Sequence, residues 1–252
     1  MAGISATARQ AVYAPLDGGG RVDAVIERLS GAIAVGLIDD GEQLPREVEL
    51  ASSLGVSTVT LREALVQLRH LGVVKTRRGR AGGSFVHQPR SFKESASRQR
   101  LRELGGHEIR DLGDLQLAIG GMAAMRAAQR ASHDEIHRLE QLVEALAIAD
   151  SLATRRQADG RFQVEIASAG QSVRLALLTM NVQAEYGDLI WLPFPGEDGS
   201  ASSFHERAVA DNRAVLDAIR DGNAEAARAL AERHIENGIE RLLDLHFILA
   251  DD

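Results

Sequence analysis

No cysteine occurs in the 252 residues, which excludes a disulfide framework, a thiolate metal site and a cysteine nucleophile. No apolar stretch follows a basic start, so the N-terminus does not read as a secretory leader. No apolar run approaches the roughly 18 residues that span a bilayer. A nucleophile elbow, a phosphate-binding glycine loop and a histidine-rich ligand set are also missing. These absences argue against an enzyme and against a membrane partner, and a cytoplasmic protein is the expectation. What is present is an ordinary globular balance, 44% hydrophobic and 26% charged, in a chain long enough for two domains.

The net charge of −7 is unevenly spread. Residues 46–90 carry eight basic and three acidic groups, a net of +5, whereas residues 91–252 carry 18 basic and 27 acidic groups, a net of −9. Such asymmetry suggests one segment that faces phosphate and another with a different task.

Residues 1–20 show little apolar pattern and end in Asp17-Gly18-Gly19-Gly20, which reads as a flexible arm. From Arg21 the period becomes helical, with Val22, Val25, Ile26, Leu29, Ile33 and Leu37 along one face. Gly36 and Asp39-Asp40-Gly41 end that helix. A short second helix fits Arg46 to Leu54, with Val48, Ala51 and Leu54 or Leu50 turned inward and Gly55 as a left-handed terminator. Ser57 is a natural N-cap for a third helix to about Leu71, whose inner stripe is Leu61, Ala64, Leu65 and Leu68. Val73 to Arg77 and Ser84 to Val86 read as strands around a glycine-rich turn. Residues 21–87 thus form one unit, and residues 88–93, containing Pro89, a linker. Residues 94–252 are helical throughout, with helices near 92–104, 107–131, 133–149, 151–169, 171–192, 202–221 and 223–249 and a break at Pro193-Phe194-Pro195-Gly196. The fold class is mainly α: a winged helix-turn-helix of three helices and a two-stranded wing, then an all-α bundle.

That first unit suits B-DNA, whose major groove admits a helix with its first turn nearest the base edges. Here the first turn is Ser57-Thr58-Val59-Thr60, followed by Arg62, which lies roughly 100° from Leu61 and so off the buried stripe. Ser57, Thr58 and Thr60 can donate to phosphates, Val59 can touch a thymine methyl, and Arg62 can reach a guanine edge or a phosphate. The wing offers Arg77, Arg78 and Arg80 around Gly79, Gly82 and Gly83, suited to a narrow minor groove.

The run Leu44-Pro45, Glu47, Leu50-Ala51, Leu54-Gly55-Val56-Ser57, Leu61-Arg62-Glu63-Ala64-Leu65, Leu68, Gly72-Val73-Val74, Arg78-Gly79 and Ser84-Phe85-Val86 resembles the GntR family of bacterial regulators. The resemblance implies a homodimer on a short palindromic operator of double-stranded DNA, usually a repressor released by a metabolite. It also marks departures. Relatives commonly carry base-reading arginines where this chain has Val48 and Thr58; Arg62 remains, and Arg46 stands in place of a small residue as a substitute contact.

The helical half resembles the FadR C-terminal, or FCD, sensor domain, through Ala158-Asp159-Gly160-Arg161-Phe162, Ala218-Ile219 with Gly222-Asn223, and His234. In many such domains an aspartate and three histidines hold a divalent metal. Carried over by position, these places are Asp159, Gln163, Asn212 and His234, so two imidazoles have become amides. Amide oxygens are weak ligands for zinc or nickel, and no tightly held cofactor or metal is expected. The four residues read instead as a polar pocket that hydrogen-bonds an organic effector, joined by Gln116, which falls where relatives often place arginine. His205, seven residues before Asn212, replaces a lost ligand only if its helix is shifted. His133 and His137 lie among charges and read as a solvated face. Two other readings stay open: a metal-dependent sensor or enzyme working in the bundle, and a bundle that only dimerises.

Overall fold

The computed structural model describes residues 4–16, 21–79, 82–87, 94–196 and 203–250. Eleven helices and two strands make up these residues. None of the helices is long and apolar enough to cross a membrane.

The N-terminal unit, residues 21–87, is built as its patterning dictates. Helix α2 (Val22–Ala34) buries Val25, Leu29, Ala32 and Ile33. Helix α3 (Glu47–Leu54) buries Leu50, Ala51 and Leu54. It stops at Gly55, whose φ of +67° is a left-handed conformation that a side chain resists. Helix α4 (Thr58–His70) buries Leu61, Ala64, Leu65 and Leu68 against α2 and α3. Strands β1 (Val74–Arg77) and β2 (Gly83–Val86) pair antiparallel, from Val74 opposite Val86 to Arg77 opposite Gly83. Gln43 adds a bridge to Phe85, so the wing is anchored to the segment entering α3.

Two expectations are corrected here. Val48 is not turned inward; it is 69% exposed. The buried stripe centres on Leu50, Ala51 and Leu54, and at 100° per residue Val48 sits about 110° from that centre. Nor are residues 1–20 an arm throughout. Helix α1 (Ala6–Val12) forms within them, with Ala8, Ala11 and Val12 fully buried. Its apolar stripe is only three small residues wide, too short to register as a helical pattern. Ser5 caps it by accepting from the amide of Ala8 at 3.1 Å. Arg28 of α2 caps the other end, donating from Nη1 to the carbonyls of Ala11, Val12 and Ala14 at 3.3, 3.4 and 2.9 Å. The expected linker, residues 88–93, lies outside the described residues.

The bundle comprises α5 (Glu94–Glu103), α6 (Gly106–Arg130), α7 (His133–Ala147), α8 (Leu152–Ala169), α9 (Val173–Ile190), α10 (Ser203–Arg220) and α11 (Ala224–Ala250). The longest contact is between α6 and α11. It is close because Gly120 leaves room for Ile235: a Cβ there would lie 2.5 Å from its Cδ1. Helix α8 is the central rod, with every residue from Ala158 to Ala169 buried, the mark of a helix surrounded on all sides. It touches α6, α7 and α9 within the bundle and α1 outside it.

Candidate nucleic-acid interface and bundle site

The candidate recognition surface begins at the N-terminus of α4. Ser57 accepts from the amide of Thr60 at 3.0 Å, and the two hydroxyls lie 2.8 Å apart. Both are thus engaged in capping, which fixes the first turn. Val59 is 62% exposed. Arg62 points outward and donates from Nε to Glu47 Oε2 at 2.7 Å, which sets its position without burying it. An exposed pair of this kind contributes about 0–1 kcal/mol, so little holds the guanidinium back from another partner. Arg46 and Arg78 line a groove of about 990 Å³ between α3 and the wing, with Arg69 and Thr76 beside them. Arg77 stacks on Phe85 with its guanidinium 4.4 Å from the ring centre. Thr58 is half-buried and Gly79 exposed at the wing tip; Arg80 lies outside the described residues.

Sequence reasoning missed three contributors to this surface: Glu47 as the partner of Arg62, Arg69 as a groove residue, and Val48 as an exposed side chain. Arg69 had one visible signal, its place in the basic cluster. The other two depend on how α3 meets α4.

In the bundle the five expected effector residues divide into two groups. Asp159 of α8, Asn212 of α10 and His234 of α11 come together. Asn212 Nδ2 donates to Asp159 Oδ1 at 2.9 Å, and His234 Nε2 lies 4.0 Å from the same oxygen. A residue missed in the sequence completes this group: Asp211 Oδ2 is 3.4 Å from His234 Nδ1. Burial alone drives the imidazole toward neutrality. The hydrogen bond to Asp211 and the charges of Asp159 and Asp211 outweigh it, so the His234 pKa is raised. Asp211 is held lower than an ordinary carboxylate, chiefly by that hydrogen bond.

Gln163 and Gln116 form the second group. They line a cavity of about 10 Å³ together with Thr179, Gln183, Ile119 and Ile166, room for about one water molecule. Gln116 Oε1 and Thr179 Oγ1 are buried there without a protein partner, and Asn212 Oδ1 is similarly orphaned in the first group. Buried polar atoms left unpaired cost about 1–3 kcal/mol each. Tyr186, buried beside this region, has its hydroxyl pKa pushed up by desolvation and then by the charge of Asp159.

These donors do not fit a zinc- or nickel-type ion. Asp159 Oδ1 accepts an amide N–H from Asn212, two of the four places hold weakly binding amides in place of imidazoles, and Gln163 lines the neighbouring cavity. Among the described residues no group of three His, Cys, Asp or Glu is arranged to hold a metal. His205 does not substitute, because its Nε2 is 2.8 Å from the carbonyl of Leu146. His137 is solvated, paired with Glu140 and Gln141, and His133 is exposed.

The opposite side of α8 meets the N-terminal half. Arg161 Nη1 is 3.5 Å from Asp39 Oδ1. Glu165 Oε1 accepts from the amide of Ser5, just before α1, at 2.9 Å. One helix therefore carries Asp159 and Gln163 toward the polar groups and Arg161 and Glu165 toward α1 and the winged helix.

Comparison with known proteins follows the same division. Residues 21–86 match the profile of the bacterial regulatory proteins of the gntR family, and residues 111–237 match the FCD domain. The chain is 39% identical over 230 residues to the HTH-type transcriptional regulator RmpR of Mycobacterium gastri, covering 91% of this chain and 83% of that one. It is 28% identical over 225 residues to the L-lactate dehydrogenase operon regulatory protein of Escherichia coli K12, covering 84% and 83%. Among solved structures, E. coli McbR/YncC shares the fold with a TM-score of 0.54 at 17% identity, over 88% of this chain and 97% of that one.

Proposed function

Because the chain belongs to the GntR family of bacterial regulatory proteins, its helical half an FCD domain, we propose that this transcription regulator is a cytoplasmic homodimeric repressor, released from a palindromic operator by a small metabolite in the bundle. The observation that carries the reading is the double duty of α8. A ligand larger than one water molecule enters the Gln116–Gln163 cavity only by parting α6, α8 and α9. Movement of α8 by an ångström loosens the Arg161–Asp39 and Glu165–Ser5 contacts on its other side. The two recognition helices of a dimer then lose their spacing on the operator. Coupling of this kind needs about 1–3 kcal/mol.

The lining chemistry supports one class of effector. The polar groups that line the cavity are amides and a hydroxyl (Gln116, Gln163, Gln183 and Thr179), beside apolar Ile119, Ile166 and Val182, with no cation or carboxylate among them. A neutral, hydrogen-bonding metabolite matches this lining, whereas a carboxylate has no cationic partner there. The ligand is held by protein groups directly, without a bridging metal.

Two measurements test the proposal. Arg62→Ala abolishes gel retardation of a duplex obtained by in vitro selection with the full-length protein and leaves its sedimentation unchanged. Retardation equal to wild type refutes the DNA-reading role. A panel of neutral metabolites screened by thermal shift contains one that raises Tm and, at the same concentration, releases the duplex. A ligand that stabilises the protein without affecting DNA refutes the coupling.

A further inference from the structure

The surface that meets DNA carries two side chains that folding has not buried. Val48 is 69% exposed and Val59 62% exposed, each in the first turn of its helix. Val59 stands three residues before Arg62, on the outward face of α4. Val48 follows Glu47, the residue that holds Arg62 at 2.7 Å. The Glu47–Arg62 ion pair thus ties together the two helix ends that present the valines. Leaving branched apolar side chains in water forgoes their burial energy, and a partner that covers them recovers it. The neighbouring Arg46, Arg69 and Arg78 make that partner an anionic one rather than an apolar protein face.

Resting on the DNA-binding reading above, we infer that Val48 and Val59 read the 5-methyl groups of thymine in the operator half-site. Thymine alone among the bases offers a methyl in the major groove. Arg62 supplies the polar contact to a base edge or phosphate beside them. Specificity at these positions is therefore a matter of methyl burial, and the contacted base pairs are A·T.

The test begins with in vitro selection of random duplex DNA by the full-length protein, and each thymine of the selected site is then replaced by deoxyuridine, which removes only the methyl. One methyl taken out of water contributes about 0.8 kcal/mol, so wild-type binding weakens about fourfold at each contacted position. Val59→Ala binds the thymine and deoxyuridine versions of its own position equally and keeps the wild-type response elsewhere. Val48→Ala does the same at a different position. Both side chains are on the surface, so both variants melt as the wild type does. Deoxyuridine without effect at every position overturns the inference, as does an unaltered methyl response in both variants, while the regulator reading survives either result. Selection that enriches no sequence overturns the regulator reading itself, and this inference with it.

Discussion

Arg28→Met is the most direct probe of how the two halves are joined. The substitution keeps most of the apolar stem of Arg28 and removes the guanidinium that reaches the carbonyls of Ala11, Val12 and Ala14. Helix α1 has seven residues, far below the roughly 12–15 at which an isolated helix becomes even marginally stable. It persists because Ala8, Ala11 and Val12 are buried and both ends are capped. A hydrogen bond from a charged group contributes about 1.5–3 kcal/mol net. Taking about 2 kcal/mol for the shortest of the three, the opening equilibrium of α1 rises about 30-fold. Hydrogen exchange followed by mass spectrometry reads this as a loss of protection of that size in residues 8–13, with α4, α6 and α11 unchanged. Protection of α1 within threefold of wild type refutes the capping argument. A uniform loss across the bundle refutes the claim that α1 opens as a local unit.

Two further predictions concern the polar groups in the bundle. The raised pKa of His234 means that its protonated form stabilises the fold; this contribution is complete below the ordinary imidazole value of about 6.5 and is lost as pH rises through the raised one. The lowered pKa of Asp211 contributes stability above the ordinary carboxylate range, lost only as pH falls through the lowered value. Urea denaturation of the wild type therefore shows falling stability from pH 6 to pH 9, and His234→Asn flattens that slope; an unchanged slope in the variant refutes the assignment. Exhaustive chelation followed by zinc or nickel addition leaves Tm within about 1 °C, since a tightly held metal at saturation would add several kcal/mol; a larger rise refutes the argument from the donor set.

Much of the architecture was readable before any coordinates. The leucine stripe of α4, the glycine after α3 and the paired strands of the wing are local features, set by spacings of three or four residues in helices and two in strands. Seven bundle helices were expected near the places where they occur, because long helix-forming runs are broken by turn and capping residues. The outward placement of Arg62 followed from the same logic, since a residue off the buried stripe must point elsewhere.

Periodicity together with turn and capping residues determined that a winged helix-turn-helix precedes an all-helical bundle, because hydrogen bonding within an element and the burial of one face both act over short chain separations. Tertiary structure decided the rest. Ser5 finds Glu165 at a separation of 160 residues, so α1 forms where the pattern was too thin to announce it. Glu47 meets Arg62 across a helix pair, Val48 is left in water by the way α3 seats on its neighbours, and Asp211 rather than Gln163 joins His234. Each of these depends on which face of one element docks on another, a choice made by contacts that sequence spacing does not encode.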